Sequence, residues 1–200
     1  MDSIHSIEEK IVYVGKLMFE RRLTDIAGGN VSCRSGEYIY MTPTGAGHQY
    51  HWDIPSQEII CARIDSDELL EHPKHSRESV SHLLVYRAYP AVHAIIHAHP
   101  FYALPFCAAG RPIPAVIKSA QVFGMEFGLI EDKPDYSYEQ GEEIIARLRP
   151  LAALLEQQAV ALLMPKHGVF IAAANLSNAI DCLECVDTNA YCVLAQKWLS

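Results

Sequence analysis

The sequence predicts an α/β fold: one layered domain over residues 1–200, with helices flanking a central β-sheet. Two observations carry this reading. Stretches with helical apolar periodicity alternate with short runs of β-branched and aromatic residues from end to end, the pattern of a sheet covered by helices. Two hundred residues at 50% hydrophobic content are enough to close one core without disulfide staples or a second module. No internal repeat, low-complexity tract or linker divides the chain.

The elements follow in order. A first amphipathic helix is predicted over 6–22, with Ile7, Ile11, Val14, Leu17 and Met18 on one stripe and Glu8 and Glu9 near its start. It stops before "TDIAGGN". "VSCR" and "YIYM" read as two short strands joined through the turn "SGE", and "TPTGAG" breaks the second. "EIICARI" (58–64) is the next strand, followed by the polar loop "DSDELLEHPKHSRE". Val80, Leu83 and Leu84 suit a helix over 76–87 with Ser76 as its N-cap. The strand "AVHAIIHAHP" (91–100) and a helix "PFYALPFCAAG" come next. Residues 113–130 mix β-branched and aromatic residues with Gly and Pro, which predicts strands of open register. A helix over 138–157, the strand pair "AVALLMP" and "GVFIAA", and a helix over 176–198 complete the order.

A net charge of −8, from 16 basic against 24 acidic residues, speaks against nucleic-acid or anionic-membrane surfaces, which clustered Lys/Arg fields bind. Small-molecule partners are expected instead. The start "MDSIHSIEEKIVYVG" carries acids where a signal peptide needs a basic head, and no apolar run reaches membrane-span length, so a cytoplasmic protein is expected. The six cysteines, at 33, 61, 107, 182, 185 and 192, read as reduced thiols. Cys182 and Cys185 form a C-x-x-C, yet with Val186, Asn189 and Cys192 they recur at helical spacing, which predicts helix packing.

The histidines carry the chemistry. On a strand, His97 and His99 project from one face roughly 7 Å apart, within reach of one ion; His93 shares the parity but lies roughly 13 Å from His97. Taken alone, H-x-H fits either a metal pair or hydrogen-bonded histidines at a strand end. "KHG" between two apolar runs adds His167 at the break of a strand pair, where Gly168 lets the backbone turn or approach closely. A third ligand there completes a His₃ site with an open position, the form of a catalytic zinc site. Glu78, at the start of the helix feeding the histidine strand, reads either as the proton-transfer partner of such a metal or as a first-turn glutamate favoured by the helix dipole. "AGGNVS" and "TPTGAG" could each offer N–H groups and hydroxyls to a phosphate or serve as ordinary tight turns, and neither has a nucleotide-binding spacing. His82, one turn from Glu78, suits a structural or supporting hydrogen bond, and His48, His51, His72 and His75 suit solvated loops.

The ordered set "GGNVS", "TPTG", Ser76-x-Glu78-x-x-x-His82-x-x-x-Tyr86, "HAIIHAHP" and "KHGV" resembles the class II aldolase/adducin family over nearly the whole chain. The resemblance implies a mostly antiparallel central sheet and a Zn²⁺, or another divalent ion, on His97, His99 and His167. Glu78 is implied as acid/base and occasional fourth ligand. Gly29, Asn30, Thr44, Gly45 and Ser76 are implied to line the phosphate pocket, in a cyclic homotetramer with each site at a subunit boundary. The implied reaction forms or cleaves a carbon–carbon bond between dihydroxyacetone phosphate, or an analogue, and a short aldehyde through a metal-stabilised enediolate. Its rivals are epimerase or decarboxylase chemistry on the same scaffold, a non-catalytic adducin-like interaction module and, from H-x-H alone, a zinc hydrolase. Three departures bear on substrate. Arg77 stands where the aldolase pattern has a second serine, and suits a bidentate contact to phosphate or carboxylate. Lys118 stands where the aldolase has a tyrosine reaching a neighbouring site, and suits an anion contact, proton donation or a surface role. Ser200 closes the chain without the aldolase's aromatic tail, so a different aldehyde preference is expected.

Overall fold

In the computed structural model, described for residues 6–199, helix α1 (Ile7–Glu20) opens on a capping box in which Ser6 and Glu9 satisfy each other's backbone N–H. Strands β1 (Asn30–Ser35) and β2 (Tyr38–Met41) form the expected hairpin. After them come α2 (Ala46–Tyr50), β3 (Ile60–Arg63), α3 (Glu68–Glu71), α4 (Ser79–Ala88), β4 (Ala94–Ala98) and α5 (Leu104–Ala109). The pieces β5 (Ile113–Pro114), α6 (Lys118–Gln121) and β6 (Glu126–Phe127) lead to α7 (Tyr138–Leu148), β7 (Ala159–Met164), β8 (Gly168–Ala173) and α8 (Leu176–Ala195). Met1–His5 and Ser200, on which the expectations about a leader and a C-terminal tail partly rest, lie outside the described residues. No helix among the described residues is long and apolar enough to cross a membrane.

Six strands form one antiparallel sheet in the order β3-β2-β1-β4-β8-β7, while β5 and β6 pair separately. Alternation along the strands divides the core into two layers. Ala94, Ile96 and Ala98 of β4, with Val169 and Ile171 of β8, face a cluster that includes residues of α1 and α8. Ile95 and Phe170 face the opposite cluster, built with α4 and α7. Full burial stabilises each such Ile by roughly 1.5–3 kcal/mol, and because β4 is buried on both faces, a one-residue slip would turn His97 away from the α4 side into the opposite core layer. His97 has the parity of Ile95. In register it pairs with Asn30 and Phe170, so Asn30 and His97 share the α4 side of the sheet.

Several predicted boundaries move for local reasons. The helix over 138–157 is α-helical only to Leu148 and continues as a 3₁₀ segment over Arg149–Glu156. Pro150 removes an N–H and crowds the carbonyl four residues back. The helix at 76–87 starts at Ser79 with Glu78 in the cap position, and the Ser76 hydroxyl accepts from the Asn30 amide at 3.2 Å and from the Glu78 N–H at 3.3 Å. Cys182, Val186 and Asn189 are buried on α8 as the spacing predicts, with Cys185 and Cys192 partly buried. Asn189 also makes polar contacts, since Oδ1 accepts from Val116 N at 2.8 Å and Nδ2 donates to Pro114 O at 2.9 Å. Its α8 neighbour Asp187 holds the N–H groups of Tyr102 and Ala103, pinning the segment that leaves the histidine strand.

His82 is fully buried on α4, with Nδ1 2.7 Å from the Ser32 hydroxyl, which also bonds Tyr86 Oη at 2.9 Å. Burial lowers its pKa to about 3. A base depressed in the folded state stabilises the fold fully above its unfolded pKa, near 6.5, and the contribution is lost as pH falls through the folded value. His82→Gln is therefore expected to flatten acid destabilisation between pH 6.5 and 3, by on the order of 5 kcal/mol at full development. Urea unfolding of metal-free wild type and variant across this range checks it; parallel curves would count against the assignment.

Candidate metal centre

Three imidazoles from two distant segments meet at the end of β4. The His97 ring centroid lies 5.1 Å from that of His99 and 4.6 Å from that of His167, and the His99 and His167 rings are 5.7 Å apart. One nitrogen from each lies within 4.8 Å of the others, close to the roughly 4 Å that two imidazole nitrogens on one zinc ion can span. His93 is exposed and outside this group. Of the two roles open to Gly168, close approach is the one realised: a Cβ there would lie 2.5 Å from the Ala98 carbonyl oxygen and 2.8 Å from His99 Cδ2. Positive φ falls on Lys166 instead.

Hydrogen bonds fix which nitrogens face inward. A carbonyl only accepts, so His97 Nδ1, 3.2 Å from Val169 O, carries its proton and leaves Nε2 for the cluster. His99 Nδ1 donates to Asp25 Oδ1 at 3.2 Å, and its Nε2 is buried without a partner. His167 Nδ1 lies 3.1 Å from Asp135 Oδ1, outside hydrogen-bond geometry, while Nε2 is 3.7 Å from Glu78 Oε1. Burial holds His97 well below the usual imidazole range, helped by the neighbouring rings, and burial also lowers His167. Neutral imidazoles are the metal-binding form.

Glu78 is 2% exposed and neither carboxylate oxygen has a hydrogen-bond partner. Burial, then the negative charge of Asp135, pushes its pKa up to about 8. Leaving a carboxylate unpaired in the interior costs several kcal/mol, and a cation among the three histidines is the partner that removes the penalty. The orphaned oxygens, the unpaired His99 Nε2 and the nitrogen donor set thus fit a divalent metal.

These four side chains open on a cleft of about 80 Å³ lined also by Gly28, Gly29, Asn30, Thr44, Gly45, Ser76, Arg77 and Tyr136. Every site residue expected from the sequence converges here except Lys118, which is exposed at the start of α6 and does not line the cleft. Thr44 N–H bonds Lys74 O at 2.7 Å, joining the two loops. One end of the Asn30 amide is held by Ser76 and the other is buried and unpaired. Sequence reasoning does not single out Asp25, Asp135 or Tyr136. Asp25 Oδ1 also accepts from Ala27 N and Gly28 N, an Asx turn that "TDIAGG" could have signalled. Tyr136 holds a φ of 65°, a left-handed conformation that costs a bulky residue roughly 1–2 kcal/mol, and its ring lies edge-on to His167 at 5.6 Å. Asp25→Ala is expected to weaken metal binding about 10- to 100-fold by releasing His99. Chelator competition measures this, and an unchanged affinity would show that Asp25 serves only its turn.

Among known proteins, the chain is 24% identical to an L-fuculose phosphate aldolase of Methanococcus maripaludis over 82% of each chain. It is 28% identical to a 3-oxo-tetronate 4-phosphate decarboxylase of Haemophilus influenzae, over 92% of this chain and 84% of the other. A solved L-fuculose 1-phosphate aldolase superposes with a TM-score of 0.77 at 26% identity, covering 98% of this chain and 89% of that one, and shares the six-stranded antiparallel sheet with flanking helices. A model of the Class II Aldolase and Adducin N-terminal domain matches residues 9–194, and the chain belongs to that family.

Proposed function

We propose that this chain is a zinc-dependent aldolase that forms or cleaves a carbon–carbon bond in a small phosphorylated ketose, with dihydroxyacetone phosphate or an analogue as one half and a short aldehyde as the other. The observation that carries the reading is Glu78: a buried carboxylate without a hydrogen bond, 3.7 Å from His167, opening on the cleft that the three histidines share. His97, His99 and His167 would hold the ion, which when bound supplies Lewis-acid polarisation of a carbonyl oxygen. Glu78 takes and returns the proton on the carbon beside that carbonyl. Gly29, Asn30, Thr44, Gly45 and Ser76 bind the phosphate through N–H and hydroxyl groups. The chain assembles as a homotetramer with the site at a subunit boundary, and the apolar Ile26 and Phe101, 50% and 55% exposed, which flank His99 in an adjoining groove, support the boundary's place.

The deciding experiment assays a panel of phosphorylated ketoses for aldehyde release with and without chelator. Chelator-sensitive release from at least one ketose is expected. Proton exchange or CO₂ release from phosphorylated keto acids, with no aldehyde from any ketose, would move the assignment to a decarboxylase on this scaffold.

A further inference from the structure

Among the described residues, the cleft contains one arginine and no lysine. The guanidinium carbon of that arginine, Arg77, lies 4.3 Å from the ring centroid of Tyr136. Beyond this stack Arg77 makes no hydrogen bond or ion pair among the described residues, whereas Arg63, Arg87 and Arg147 each hold a carboxylate. A guanidinium lying on an aromatic face keeps its edge N–H fork free, and that fork matches a planar anion with two oxygens. The side chain is exposed at the mouth of the cleft, so an incoming ligand reaches it without rearrangement of the core.

Position indicates which anion. Among the neutral donors, Asn30 is in register with His97 and bonds the Ser76 hydroxyl, and the nearby Gly28 packs against the His99 ring. Arg77 leans on Tyr136, and Tyr136 abuts His167 at the other side of the histidine cluster. The backbone strain at Tyr136 is tolerated where it sets this shelf. A ligand with its phosphate among the neutral donors and its reacting carbon beside Glu78 would present its far end to Arg77.

We propose that Arg77, seated on Tyr136, is a specificity-determining residue that selects a substrate whose non-phosphorylated half bears a carboxylate. The proposal rests on the sugar-phosphate reading of the cleft and narrows it from neutral ketoses to phosphorylated sugar acids. Lysine would keep the charge but not the fork, and serine would leave only the phosphate donors.

The test is calorimetric binding of two unreactive ligands with the same carbon skeleton, 4-phosphoerythronate and erythritol 4-phosphate, to the zinc-loaded protein. Wild type is expected to prefer the carboxylate ligand by about 10- to 100-fold, the span of a charge-assisted contact. Arg77→Ser should erase the preference while leaving erythritol phosphate affinity within about threefold, a tolerance below the effect of one ordinary hydrogen bond. Arg77→Lys should restore part of it. Equal weakening of both ligands in Arg77→Ser would place Arg77 on the phosphate and overturn the proposal. A preference that survives in Arg77→Ser, or is absent in wild type, would overturn it too. If ketose phosphates are cleaved while wild type shows no preference, only this inference fails; if neither ligand binds and no ketose is cleaved, the sugar-phosphate reading fails with it.

Discussion

Replacing His97 with alanine is expected to abolish metal retention and aldehyde release together, each by at least about 10³-fold, since a catalytic His₃ site reduced to two ligands no longer holds its ion. His97 is the ligand with least freedom to be replaced. It sits within β4, 2% exposed, in register with Asn30 and Phe170, and the Val169 carbonyl fixes its ring. The smaller side chain leaves the sheet intact because the strand hydrogen bonds use the backbone alone. Elemental analysis, circular dichroism and turnover on the same preparation separate the outcomes. Full metal content in a folded variant would show that the three imidazoles do not share an ion.

Glu78→Gln is expected to have the second largest effect, and of a different kind. The amide is nearly isosteric and leaves all three histidines in place, so metal content persists while solvent-deuterium exchange into dihydroxyacetone phosphate falls about 10²- to 10⁴-fold, the usual worth of a positioned general base. Undiminished exchange would remove the carboxylate from its role. Without metal the variant has a second signature. An acid whose folded pKa is raised from 4.5 to about 8 binds its proton more tightly in the folded state, so its contribution to stability declines as pH rises from 4.5 through 8. The buried histidines contribute equally to both proteins, so metal-free Glu78→Gln should gain on metal-free wild type as pH rises across that window, by on the order of 5 kcal/mol at most.

The parts of the site legible in the sequence are those that local rules determine. Strand parity places His97 and His99 together whatever the rest of the fold does, and "KHG" between two apolar runs marks a strand junction at His167. The family resemblance implied that these places share an ion; periodicity alone did not, because their meeting depends on β4 and β8 being neighbours in the sheet. Asp25, Asp135 and Tyr136 escaped because their partners are set by tertiary structure: Asp25 meets His99 across 74 positions, and "PDYS" reads as an ordinary turn. Ser76 misled for a related reason. As a local cap it suits the first turn of a helix, but its hydroxyl accepts from Asn30, 46 residues away, as well as from the Glu78 N–H, and the helix starts at Ser79. The sequence reading carried the helix through Pro150 to 157, although the break there follows from local causes, the missing N–H and the crowded carbonyl.

His97 lies in β4, His99 follows that strand directly and His167 directly precedes β8; the two strands are neighbours in the six-stranded sheet, and their hydrogen bonds form without the ion. Small zinc modules unravel when stripped because the ion is their core; here the receptacle is inherited from the scaffold. Dialysis against a chelator should therefore yield an empty but folded protein with slow amide exchange in Ile95 and Ile171. Occupancy should return on mixing with Zn²⁺, without a refolding lag.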